Sequence, residues 1–205
     1  MVVQLFQLTK EDVQLSSIKL KPFLETANVW AKNSSCCRVQ VGAVIFNLKT
    51  KRLLSIGYNG TLPGQIHCDK LFHPRECDYL VHSDIKKYLS DVYTESVTEE
   101  GWNSVSIEEA KEMHHRFSDL YEVHAEQNAI YNLIKTGASY DTENLAIITT
   151  VEPCEQCAKA IAALGIKHIF YEVAYDRNTI DIPKYFSRLG IICRQVESSG
   201  EELQS

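Results

Sequence analysis

Residues 145–173 read LAIITTVEPCEQCAKAIAALGIKHIFYEV, and this stretch decides the fold. LAIITT (145–150) is an apolar run rich in β-branched residues, the pattern of a strand buried on both faces. Residues 154–164 carry helical spacing, and KHIFYEV (167–173) is strand-like again. A short helix over 181–188 and a last strand over 190–194 continue the alternation. Upstream, residues 124–136 read as a helix. VQVGAVIF (39–46) and RLLSIGY (52–58) read as two strands joined by the polar hairpin connection NLKTK. Strands alternating with helices imply a sheet covered on both faces, and the hairpin makes that sheet mixed.

The remaining segments are less regular. Residues 15–33 (LSSIKLKPFLETANVWAKN) predict a helix with a boundary or kink at Pro22. Leu24, Ala27, Val29 and Trp30 supply its apolar face. Residues 59–122 predict a long irregular stretch, opened by the turn-forming NGTLPGQ and containing the acidic run TESVTEEG. Within it, SIEEAKEMHHRF (106–117) predicts a helix, with Ser106 and Glu109 as its capping box. A connection of this length is usually functional or independently braced.

Bulk properties narrow the function classes. The chain has 205 residues, 44% hydrophobic and 23% charged, with net charge −6. That suits one soluble domain with a real core. No run approaches the roughly 18 apolar residues of a membrane span. Lys10, Glu11 and Asp12 fall too early for a secretory signal, so a cytoplasmic location is expected. The negative charge argues against a protein that grips a long nucleic acid, while a small anionic substrate remains compatible. Seven cysteines without a secretory signal argue against a disulfide framework and for buried, metal-bound or reactive thiols.

Two motifs carry chemistry: His124-Ala125-Glu126 and Pro153-Cys154-Glu155-Gln156-Cys157. Each opens a predicted helix. Cys154 and Cys157, three residues apart, share one helical face. With His124 they make three protein ligands, and three ligands leave a tetrahedral zinc one open position, the mark of a catalytic site. The partial positive charge of a helix N-terminus favours thiolates. Glu126, two residues past His124, can stand beside the metal without ligating it and act as general acid and base. The competing reading is a closed structural zinc with Glu126 on a solvated face. The pattern matches, rather than independently derives, the signature of zinc nucleobase deaminases.

VGAVIFN, GYNGTLPG, VHAEQNAI and TTVEPCEQCAKAIAALGIKHIFY resemble deoxycytidylate (dCMP) deaminases of the cytidine deaminase superfamily, most closely the bacteriophage type. The likeness covers about residues 17–194. Gly57-Tyr58-Asn59-Gly60 narrows it from the superfamily to the dCMP enzymes. The resemblance implies a three-layer α-β-α sandwich around a five-stranded mixed sheet, with a long zinc-braced insert at about 61–122 of a single domain 1–205. It implies hydrolysis of dCMP to dUMP upstream of thymidylate. It also implies a homohexamer activated by dCTP and inhibited by dTTP, with Mg2+ accompanying the triphosphate; a viral protein would work in the host cytoplasm. Asn59, Tyr175 and Asp176 match substrate-side positions, and Gly57 to Gly60 an allosteric nucleotide segment. Alternatively Asn59-Gly60 is a turn pair and Tyr175 a packed rim aromatic.

The same resemblance implies a second, structural zinc held by Cys36, Cys68, His114 and Glu122. Other sets stay open: His67-Cys68 with His73 and Cys77, His115 in place of His114, or Cys37 in place of Cys36. Cys193 is expected in the core, and His82 and His168 as structural or exposed. For a substrate phosphate, Arg38, Arg177 and backbone amides are candidates. Tyr88, Tyr93 and Trp102 could touch a nucleotide or a neighbouring subunit. Competing functions are a deaminase of another substrate (dCTP, free cytidine, a tRNA base or a pterin-like compound) and a zinc-braced nucleotide-binding module without catalysis.

Overall fold

The computed structural model describes residues 19–74, 79–89, 101–137 and 139–198. Its centre is a five-stranded sheet of order β10-β9-β8-β1-β2. The strands are β1 (Gly42–Asn47), β2 (Leu53–Tyr58), β8 (Leu145–Val151), β9 (His168–Val173) and β10 (Ile192–Gln195). β1 runs antiparallel to β2 and β8, whereas β8, β9 and β10 are parallel. The mixed sheet expected from the hairpin is therefore present.

The period of two decides the layers. Along β1, Ala43 and Ile45 face one side while Val44 and Phe46 face the other, all fully buried. β8 repeats this with Leu145 and Ile147 against Ala146 and Ile148. One face is covered by α1 (Lys21–Ala31), the other by α3 (Ala125–Lys135), α4 (Glu155–Leu164) and α5 (Ile182–Arg188). The result is the three-layer sandwich.

Helix α1 is shorter than the sequence suggests, and Pro22 stands in its first turn as a start signal rather than a kink. Its buried stripe is Phe23, Leu24, Ala27 and Ala31. Val29 and Trp30 are exposed, at 58% and 37%, because they fall off that stripe. Trp30 instead stacks on Tyr58, ring centroids 6.1 Å apart.

The 59–122 segment is more ordered than expected. β3 (Gly60–Thr61) pairs with β7 (Glu122–Val123), tying together the two ends of the segment. β4 (Phe72–Pro74), β5 (Tyr79–His82) and β6 (Trp102–Val105) form a small antiparallel sheet. Its apolar side packs with α2 (Ile107–Tyr121) around Leu71, Phe72, Val81, Ile85 and Phe117. α2 begins with the anticipated box: Ser106 Oγ accepts from Glu109 N (3.2 Å), and Glu109 Oε2 accepts from Ser106 N (3.0 Å). Most of TESVTEEG, with Tyr93 and Cys77, lies outside the described residues.

Candidate active site and metal centres

The site lies where α3 and α4 begin. Each helix follows a strand, β7 before α3 and β8 before α4, so the two N-termini open side by side. His124 and Cys154 are the N-cap residues. Cys157 lies on the first turn of α4 and Glu126 on the first turn of α3. Cys154 Sγ and Cys157 Sγ each lie 3.4 Å from His124 Nδ1. Zinc bonds of about 2.0–2.3 Å in tetrahedral array separate ligands by about 3.5 Å. The three donors therefore stand at the spacing that one zinc ion needs.

Electrostatics point the same way. A hydrogen bond from Cys157, opposed by burial and reinforced by His124, holds Cys154 down to about 4. The Cys154 sulfur in turn raises His124 to about 9 and pushes Cys157 well above the thiol range. A dication satisfies all three donors together.

Glu126 is only 4% exposed, which removes the solvated-helix reading. Burial pushes its carboxyl up to about 7, against the pull of His124. A carboxyl titrating near neutrality is suited to taking and returning a proton.

A second convergence joins the other four expected positions. Donor atoms of Cys36, Cys68, His114 and Glu122, all buried, lie within 4.8 Å of one another. Cys36 Sγ stands 3.5 Å from His114 Nε2. Cys68 anchors the loop between them: Cys37 N donates to its Sγ (3.0 Å), which contacts Ser35 O (3.3 Å). Cys36 is held down to about 3, first by its Cys68 hydrogen bond. Burial pushes Glu122 up; its Oε2 accepts from Ser118 Oγ (2.8 Å), and its Oε1 is buried without a partner. A buried orphan carboxylate oxygen facing two sulfurs and an imidazole is chemically apt for zinc. Among the described residues, the four-donor group forms without His115, Cys37, His67 or His73. His115 turns to Arg38, and Cys37 stands beside the four-donor group, its thiol lowered by Cys68 and His114.

Between and above these groups lies a cleft of about 330 Å³. Asn59, Tyr175 and Asp176 line it. Asn59 is buried, and its side chain braces the opposite wall: Oδ1 accepts from Val41 N (2.8 Å) and Nδ2 donates to Val39 O (2.9 Å). Its spare lone pair and proton remain for a ligand. Tyr175 is half-buried and Asp176 exposed. Gly57 has a packing reason to be glycine, since a Cβ there would meet Ala125 O and Ala129 N at 2.3 Å. Tyr58 is partly exposed at the end of β2, and its carbonyl accepts from Asn128 Nδ2 (2.8 Å). Gly60 follows in β3.

Glu152, which the sequence reading missed, accepts from Tyr175 N (3.3 Å) and Asn178 Nδ2 (3.0 Å). It fixes the loop that carries Tyr175 and Asp176 over the cleft. The only local signal was a carboxylate two residues before Cys154, which by itself names no partner. Cys193 packs at the edge of the main core, where burial raises its thiol.

A family model for the cytidine and deoxycytidylate deaminase zinc-binding region matches residues 17–173. The chain belongs to this family. It is similar to the deoxycytidylate deaminase of Enterobacteria phage T4, 33% identical over 171 residues covering 78% of this chain and 81% of that protein. The deoxycytidylate deaminase of Mycobacterium phage D29 is 30% identical over 149 residues, covering 73% of this chain and 90% of that one. In fold, the chain is similar to the dCMP deaminase of cyanophage S-TIM5, solved in complex with dCMP and dUMP: TM-score 0.53 and 24% identity, covering 86% of this chain and 95% of that one. Among the described residues, no helix is long and apolar enough to cross a membrane.

Proposed function

We propose that this chain hydrolyses dCMP to dUMP and ammonia. The observation that carries the reading is the convergence of His124, Cys154 and Cys157 beside the buried Glu126, in a chain 33% identical to a phage deoxycytidylate deaminase. His124, Cys154 and Cys157 would hold a zinc ion, which would supply a water molecule with its pKa lowered to about 7. Glu126 takes a proton from the attacking water and delivers it to N3 of the cytosine ring as C4 becomes tetrahedral. It then takes the remaining proton from the oxygen added at C4 and passes it to the amino group; the C4–N bond breaks as C4=O forms, so water and dCMP balance as dUMP and ammonia. The carboxyl near neutrality is suited to both directions of transfer. Asn59 and Tyr175 border the space for the nucleoside, and Asp176 stands at its mouth.

Cys36, Cys68, His114 and Glu122 hold a second, structural zinc that ties the 61–122 insert of a single domain to the loop after α1. Gly57 to Gly60 serve an allosteric nucleotide. A homohexamer in the cytoplasm, of the host if the chain is viral, is activated by dCTP and inhibited by dTTP, with Mg2+ on the triphosphate.

Initial rates on dCMP, dCTP, deoxycytidine and cytidine, followed by ultraviolet absorbance, test the substrate. The expected order places dCMP first, with the rate rising with dCTP and Mg2+ and falling with dTTP. Preference for another cytosine compound would replace the substrate; indifference to both triphosphates would remove the regulatory assignment.

A further inference from the structure

The turn that presents two of the metal donors carries a second set of side chains. In Glu152-Pro153-Cys154-Glu155-Gln156-Cys157 each thiol follows a carboxylate placed two residues earlier. Cys154 and Cys157 converge on His124, while Glu152 and Glu155 turn to the chain between β9 and α5. That segment, residues 174–181, is neither helix nor strand, so its backbone groups need partners elsewhere.

It finds them on the metal-ligand turn. Residues 175–178 make a turn of their own, in which Asn178 N donates to Tyr175 O (3.4 Å). One carboxylate oxygen, Glu152 Oε2, grips both ends of it: Tyr175 N donates at 3.3 Å and Asn178 Nδ2 at 3.0 Å. Asn178 Nδ2 also donates to Pro153 O (3.2 Å). One residue on, Glu155 Oε1 accepts from Thr179 N (3.0 Å) and from Thr179 Oγ1. Asp181 then accepts from Lys184 N (2.9 Å) and starts α5. Loops are ordinarily the freest part of a fold. Here two acidic anchors on one turn hold the loop, and bonds to an ionised acceptor are about twice as strong as neutral ones. Tyr175 and Glu152 both line the cleft.

We propose that Glu152 and Glu155 are positioning residues: they fix the 175–179 loop, and with it the Tyr175 side of the cleft, at a set place over the metal donors. This rests on the functional reading above and deepens it, since one turn then carries both the metal ligands and the support of the wall against which the nucleotide lies. Such a wall acts on ground state and transition state alike, so its loss is read in KM more than in kcat.

Two readouts on the zinc-loaded protein test the assignment, and the first needs no substrate. Amide hydrogen exchange at Tyr175 and Thr179 is expected to be slow in the unaltered protein. Exchange at Tyr175 speeds up at least about 10-fold in Glu152→Ala, and exchange at Thr179 does so in Glu155→Ala, with β8 and α4 still protected. Glu152→Gln restores the Tyr175 amide, because its side-chain oxygen can accept both bonds of Oε2. In initial rates, Glu152→Ala raises KM for dCMP at least about 10-fold with kcat within about 3-fold, and Glu152→Gln brings KM back. Zinc content stays unchanged throughout. Asn178→Ala removes the partner of Glu152 from the loop side and shifts KM in the same direction, so the test survives a Glu152→Ala protein that does not fold. Exchange at Tyr175 and Thr179 that no variant alters, a rise spread over the whole fold in both Glu152→Ala and Asn178→Ala, or an unmoved KM overturns the assignment. A protein that shows the local, Gln-rescued exchange yet deaminates no cytosine nucleotide keeps the loop anchors and loses the proposed chemistry.

Discussion

Glu126→Gln keeps zinc at the His124, Cys154 and Cys157 site and loses at least about 100-fold in kcat on dCMP. The substitution is nearly isosteric, so the fully packed first turn of α3 is undisturbed; the residue is 4% exposed and leaves no cavity when changed this way. What disappears is the group that can both accept and return a proton. The amide neither takes the water proton nor delivers it to the ring, whereas the three metal donors are untouched. The loss is therefore read in kcat, with zinc content and melting temperature near those of the unaltered protein. Turnover within a few-fold of normal, with zinc bound, would mean that another group moves the proton.

Cys68→Ala produces the largest effect on stability. It removes a fully buried sulfur from the four-residue cluster and from its contacts with Cys37 N and Ser35 O. If the cluster holds the second zinc, as proposed, the variant binds one equivalent where the unaltered protein binds two. The loss is expected to exceed about 4 kcal/mol, the range associated with a lost metal rather than with a trimmed side chain. His114→Ala gives the same zinc count from the other side of the cluster, through α2. The readout is zinc content with denaturant unfolding. Two zinc equivalents in both variants contradict the second site, whatever happens to stability.

The sandwich was legible because its sheet is buried on both faces. Strands such as β1 and β8 write that burial as unbroken apolar runs, and the helices between them keep their own period. The metal donors were legible for a related reason. Three of them open helices that directly follow strands, so local spacing and chain order already aim them at one point. Cys36, Cys68, His114 and Glu122 were different: they are scattered over the chain, and only family resemblance suggested them before the structure brought them together.

The misreadings have physical causes as well. β4 and β6 are three and four residues long, and their partner β5 is chosen by packing against Phe72 and Phe117 rather than by local pattern. Val29 and Trp30 are apolar in composition yet lie off the buried stripe of α1. The Arg38–His115 bond spans 77 positions, and Glu152 reaches 23 and 26 positions along the chain to Tyr175 and Asn178. No local period encodes such pairings. Asn59 shows the reverse case: its pairing with Gly60 suggests a turn, but the chain passes through it from β2 into β3, and its side chain braces the cleft wall through Val39 and Val41.

The most direct test is dUMP formation from dCMP by chelator-treated protein, before and after zinc is restored in measured equivalents. The account predicts no turnover without metal and recovery that follows zinc occupancy of the His124, Cys154 and Cys157 site. Undiminished turnover by the metal-free protein, or none after both metal sites are filled, would contradict it.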